Sequence, residues 1–183
     1  MYQPDILAEE DGKALLIIVR DAIEKLARNE NIGKPKKCPD ALNKNYGVLC
    51  TLIKDGQIRG RSYSGMPYPL TSLIDAALHA AASAVHSKGH EPLSASELKE
   101  VKIELDILTE PRSIHARNAA ETLANILPGT DGLMIRYGVY EAFLMPRDWA
   151  SMSKEEFLDR LCIQAGMTKD MWKESGTDLY KFP

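Results

Sequence analysis

The sequence is short of the residues that staple, coat or anchor specialised proteins. Only three of its 183 residues are cysteines, Cys38, Cys50 and Cys162. They are odd in number, far apart and without a CxxC pair, so neither a disulfide framework nor a zinc knuckle is indicated. A reducing, cytoplasmic setting is the expectation. Charge of one sign is also lacking: 23 Lys+Arg stand against 26 Asp+Glu, a net charge of −3. Neutralising phosphates takes clustered Lys and Arg, so this balance argues against a dedicated nucleic-acid binder. The one basic cluster, Lys34, Lys36 and Lys37, lies in a Pro-containing stretch and reads as a solvated loop. No run of about 18 apolar residues occurs, so no transmembrane helix is expected. Early acids at Asp5, Glu9, Glu10 and Asp11 are wrong for a signal peptide. GxSxG, P-loop and GxGxxG patterns are all missing, which removes the commonest nucleophile-elbow and nucleotide signatures.

What remains is ordinary for a globular chain: 44% apolar and 27% charged residues. The length fits one domain or a tightly fused pair. Such a chain buries roughly 70% of its unfolded surface and needs no staple.

Periodicity gives the elements. Leu15, Leu16, Val19, Ala22, Ile23 and Leu26 recur at helical spacing, predicting a helix over about 12–28. Val48 to Ile53 and Gln57 to Tyr63 flank Asp55-Gly56, a strong two-residue turn, and predict a hairpin. Thr71 is expected to cap a helix that runs to near Gly89. Ser94 and Glu97 form a capping box, stapled by Leu93 and Leu98. Val101, Ile103, Leu105 and Ile107 then alternate with polar residues as a half-buried strand.

The order recurs after a connecting segment whose short helix is capped by Asn118. Gly132 to Arg136 and Val139 to Met145 flank Tyr137-Gly138 as a second hairpin. Ser153 and Glu156 make a second capping box, with Met152 and Phe157 as its staple, on a helix ending at Gly166. Thr168 starts a short helix, and Asp178 to Phe182 closes as a strand. The expectation is an α+β fold: one domain over 1–183, with pseudo-repeat halves at about 46–108 and 132–183. Each half reads hairpin, helix, helix, strand. Both would share one barrel-like, mostly antiparallel sheet with helices outside.

The first hairpin is the most informative place for chemistry. With a regular ladder from Asp55-Gly56, Leu52 pairs with Arg59, Cys50 with Arg61 and Val48 with Tyr63. Cross-strand partners share a face, so Arg59, Arg61, Tyr63 and Cys50 would stand together. Two guanidiniums two residues apart offer a fork for a carboxylate or phosphate, and Gly60 between them permits close approach. The plain alternative is that both arginines face water or pair with Glu104 or Asp106. Cys50 beside Arg61 would favour a thiolate, and its plain alternative is a small buried core residue. His79 and His86 are seven apart, ~10.5 Å along a helix axis, and cannot share one metal ion. His86 and His90 have i,i+4 spacing, but Gly89 interrupts them and no HExxH glutamate accompanies them, so no metal site is assigned. His115 stands alone.

Tyr46-Gly47-Val48-Leu49-Cys50-Thr51-Leu52 followed by Ile58-Arg59-Gly60 resembles the "GvFVTL…LRGCIG" signature of AMMECR-type domains, also known as protein A of the AmmeMemoRadiSam system. The similarity continues through Val101 to Leu108 and Pro128 to Leu133. It ends with Phe157 to Cys162, Ala165-Gly166, Trp172 and Leu179 to Phe182, so it spans nearly the whole chain. The resemblance implies an α+β fold with a barrel-like sheet and an internal duplication. It implies no particular reaction or cofactor, and leaves open whether the protein is an enzyme. It does imply a pathway shared with Memo-type and radical SAM proteins. The family's candidate nucleophile is the cysteine of its RGC motif, and that position is Arg61 here. The following Ile-Gly is Ser62-Tyr63, and the Asp-Pro-Arg-Phe-like stretch before Pro92 reads Ser87-Lys88-Gly89-His90. Cys50, directly across the regular ladder, is the one compensating thiol and a weak catalytic candidate.

The leading expectation is therefore a small anionic ligand held by Arg59 and Arg61, with Gly60, Ser62 and Tyr63 shaping the site. The alternatives are a non-enzymatic module that docks a protein partner and, behind it, nucleic-acid binding through Lys34 to Lys37.

Overall fold

The computed structural model describes residues 7–65, 69–87, 89 and 91–182. His90 of the weighed histidine pair lies outside them. The chain divides into two compact units, 1–110 and 111–183.

The first unit begins with α1 (Glu9–Ala27), whose first turn is Glu9, Glu10 and Asp11. Those acids suit the positive end of the helix dipole, which is why the helix starts before Asp11 rather than after it. A hairpin follows, β1 (Gly47–Lys54) and β2 (Gln57–Ser64). Its turn residues have φ of +53° at Asp55 and +75° at Gly56, the left-handed pair that an Asp-Gly loop supplies. Next comes α2 (Leu73–Val85), capped by Ser72 rather than Thr71. The Ser72 hydroxyl accepts from the Asp75 N–H, and the helix stops short of Gly89, at His86. A single 3-10 turn (Ala95–Glu97) carries the capping box and leads into β3 (Lys102–Leu108).

β1 is the middle strand, with β2 on one edge and β3 on the other, all antiparallel. Val48, Cys50 and Leu52 join the core with Leu15, Val19 and Ile23 of α1 and with the alanine-rich face of α2. Gly60 makes that packing possible. A Cβ there would lie 2.2 Å from the Ala84 carbonyl oxygen of α2, so only hydrogen fits. Arg20 of α1 donates to the carbonyls of Leu98 and Val101, tying the helix to the entry of β3.

The second unit holds β4 (Arg112–Ser113), α3 (Ala119–Ala124), β5 (Gly132–Tyr137), β6 (Tyr140–Leu144), α4 (Lys154–Gln164) and β7 (Asp178–Phe182). Asn118 caps α3 by accepting from the Glu121 N–H at 2.9 Å, as expected. Ser153 and Glu156 form the expected box on α4. The second turn falls one residue later than expected, because Tyr137 pairs with Tyr140 and Gly138 takes the positive φ. β4 was not expected: two residues carry no periodicity. Leu133, Ile135, Leu158, Leu161 and Trp172 build a core of their own. There Trp149 stacks on Phe157 at 3.8 Å and donates to the Asp131 carbonyl at 2.6 Å.

The strands form two sheets, β2-β1-β3 and β4-β7-β5-β6, instead of the single shared sheet expected. The reason lies in the ladders. Every ladder among the described residues joins strands of the same unit, the first hairpin strand pairing with its hairpin mate and with that unit's closing strand, so each sheet is built from one stretch of chain. No ladder among the described residues joins one sheet to the other.

Candidate functional site

The register of β1 and β2 decides which side chains meet. From the turn, Lys54 pairs with Gln57 and Ile53 with Ile58, as a regular ladder requires. The next pair is Leu52 with Gly60, so Arg59 is an extra residue, a β-bulge. Beyond it every partner moves by one: Thr51 faces Arg61, Cys50 faces Ser62 and Leu49 faces Tyr63. Since successive side chains alternate, the slip reverses the expected grouping. Cys50, Gly60 and Ser62 lie on the helix-covered face. Arg61, Tyr63 and Thr51 lie on the other. Nothing in the residue alternation announced the bulge.

Arg59 is held by the bulge against the capping-box glutamate. Its Nε donates to Glu97 Oε1 at 2.8 Å and its Nη2 to Glu97 Oε2 at 3.0 Å, a two-point fork. Lys54 reaches the same carboxylate at 3.4 Å, and Glu100 at 3.0 Å. The arginine was expected to find water, Glu104, Asp106 or a ligand. It finds Glu97, which also closes the box on the Ser94 N–H at 3.1 Å. The Arg59 guanidinium, then the Ser94 N–H, hold the Glu97 carboxyl well below the usual carboxylate range. With side-chain exposures of 16% and 18%, the pair is shielded enough to act as one structural clasp.

Arg61 is the opposite case. Its backbone N–H donates to Ser87 Oγ at 3.4 Å. Its guanidinium makes no ion pair among the described residues, and its Nε is buried without a hydrogen-bond partner. Directly across the ladder, Thr51 is 2% exposed and its Oγ1 is also buried without a partner. Unsatisfied buried polar atoms are uncommon and costly, and two in one cross-strand pair are a pointed exception. On the other edge of β1, Glu104 of β3 completes the row and stays exposed. Thr51 was not among the expected site residues. A threonine inside an apolar strand was the available signal, but strand propensity explains such a residue equally well.

Cys50 is 0% exposed and packs under α2. Burial pushes its thiol up to about 12, the reverse of an activated thiolate. Register and burial together remove the geometry that made it a nucleophile candidate. The other thiols do not regroup: Cys162 is buried in the second core and Cys38 is partly exposed in the first unit. Gly60 serves helix packing, and Ser62 shares its face.

These elements define an α+β protein of two antiparallel-sheet units, whose candidate polar row sits on the strands of a hairpin. The AMMECR1 family model matches residues 16–183, and the chain belongs to the AMMECR1 family. It is 33% identical to a protein of Methanothermobacter thermautotrophicus, over 99% of this chain and 94% of that one. It is also 33% identical to protein MJ0810 of Methanocaldococcus jannaschii, over 97% and 89% respectively. The solved crystal structure of the uncharacterized protein PH0010 from Pyrococcus horikoshii superposes with a TM-score of 0.86 at 29% identity. That match covers 97% of this chain and 90% of that one. None of these names carries an activity, and a shared fold does not supply one. No helix among the described residues is long and apolar enough to cross a membrane.

Proposed function

We propose that this AMMECR1-family protein binds a small ligand through a carboxylate or phosphate group, with Arg61 and Thr51 as the contact residues. The observation that supports this is the pair of unpartnered polar atoms, Arg61 Nε and Thr51 Oγ1, opposite each other on the β1–β2 ladder. Both can donate a hydrogen bond, and an anion oxygen is the acceptor that satisfies both. Tyr63 borders the row on the same face. Arg59, occupied by Glu97, drops from ligand contact to support of the bulge. In this reading the chain is a single cytoplasmic domain of two similar halves. It serves as an accessory or enzyme beside Memo-type and radical SAM proteins.

Thermal-shift titration with inorganic phosphate and a panel of mono- and dicarboxylates tests the site. The wild type should gain stability with ligand, and Arg61→Ala and Thr51→Val should lose that gain. Arg59→Ala should lower the melting temperature but keep the ligand-dependent gain. Equal gains in the wild type and Arg61→Ala would sink the assignment.

The docking-module reading draws on one observation, the exposed tip of the second hairpin, where Val139 is 92% exposed between Tyr137 and Tyr140. If a Memo-type or radical SAM protein docks there, Val139→Asp should abolish co-purification and leave anion response intact. Unchanged co-purification would remove this reading.

A further inference from the structure

The second unit carries a cavity of about 730 Å³ where the chain leaves β4, enters α3 and begins β7. It is within the size range of small-molecule sites. Its walls include Ser113, His115, Arg117, Glu121 and Asp178, with Leu179 as apolar floor. Leu179 is fixed in the sheet by the Ile114 N–H, which donates to its carbonyl at 2.8 Å.

The charges in this cavity do not cancel one another. Glu121 folds back onto the start of its helix, where its Oε2 accepts from the Arg117 backbone N–H at 2.9 Å. That contact ties the carboxylate to the main chain of Arg117. Asp178 Oδ2 accepts from Arg136 Nη2 at 3.0 Å, across the β5–β7 ladder. Each carboxylate is positioned through one oxygen, Glu121 by a backbone N–H and Asp178 by its ion pair with Arg136. The Arg117 guanidinium and the His115 imidazole have no hydrogen bond or ion pair among the described residues. The α3 side of the cavity therefore offers the Arg117 cation beside the Glu121 carboxylate, and the β7 side offers Asp178, ion-paired with Arg136, above the apolar Leu179.

We propose that this cavity is a second binding site, for a small zwitterion of the α-amino-acid or dipeptide type. The Arg117 fork takes the ligand carboxylate in two-point fashion. The ligand ammonium faces the carboxylates of Asp178 and Glu121, and its side chain lies over Leu179. A phosphate is disfavoured, because Glu121 and Asp178 repel a second negative charge. This site shares no residue with the Arg61–Thr51 row.

Chemical-shift titration of the full chain distinguishes the cases, with L-amino acids, their N-acetyl derivatives, the matching amines and inorganic phosphate as probes. Free amino acids should perturb the amides of 113–121 and 177–179 saturably. N-acetylation or loss of the carboxyl should weaken binding about tenfold or more, the worth of one charge-assisted hydrogen bond. Arg117→Ala alters an exposed side chain and should cause the same loss without unfolding. Asp178→Asn should weaken amino acids while leaving the matching N-acetyl compounds unchanged. Arg61→Ala should leave this response intact, so failure here and failure at the hairpin row are separate results. Absence of saturable shifts, an equal response in Arg117→Ala, or phosphate binding as well as amino acids would overturn the proposal.

Discussion

Arg59 and Arg61 stand two residues apart on one strand and have unlike fates. Arg59 is spent on Glu97, and the pair should set an acid limit to stability. A carboxyl held below its unfolded value, near 4.3, contributes fully above that value and loses its contribution as pH falls. Melting temperature should therefore begin to drop below about pH 5 and go on dropping past pH 3, and Glu97→Gln should flatten part of that drop while lowering the plateau at pH 7. Arg59→Ala, which leaves Glu97 without its fork, should cost about 1–3 kcal/mol by denaturant unfolding. The thiols should report burial equally plainly. Iodoacetamide at neutral pH should label partly exposed Cys38 first, with Cys50 reacting only on unfolding, read by peptide mass spectrometry. Early labelling of Cys50 would contradict its placement under α2.

At the scale of elements, Gly60 is where sheet and helix meet. Gly60→Ala must push the Ala84 carbonyl away or break the bulge, and overpacking of this kind costs roughly 1–3 kcal/mol or more. Circular dichroism melting should show a large loss, whereas Gly56→Asn, at an open turn, should be tolerated. Both hairpins, the caps at Asn118 and Ser153 and the closing strand Asp178–Phe182 were legible, because each is written in local chemistry: a turn dipeptide, a capping box, an alternation. What escaped was non-local. The bulge depends on what Arg59 finds in a turn nearly forty residues away. β4 exists only because β7 offers it an edge, and whether strands join one sheet or two depends on ladders that no single segment encodes. The site was half legible for the same reason. Arg61 was singled out by residue type, but Thr51 could be paired with it only once the register was known.

At the scale of the molecule, each unit builds its own core around its own sheet. Phe157→Ala should cost about 3–5 kcal/mol, and hydrogen exchange should show the earliest loss of protection in β5, β6 and β7. Protection lost first in β1 and β2 would refute that assignment. The Arg59 bulge also bears on how this protein is compared with its relatives. It acts as a parity switch: strand positions after it read inward and outward in the opposite sense to those before it. A relative of equal length that pairs without the bulge would carry the same letters and present them to opposite sides, with Arg61 across from Cys50 instead of Thr51. Identity at the Arg61 position is thus informative only when the register is known, and a one-residue deletion at Arg59 would restore an unbroken ladder while leaving Gly60 and Arg61 on the faces they occupy now.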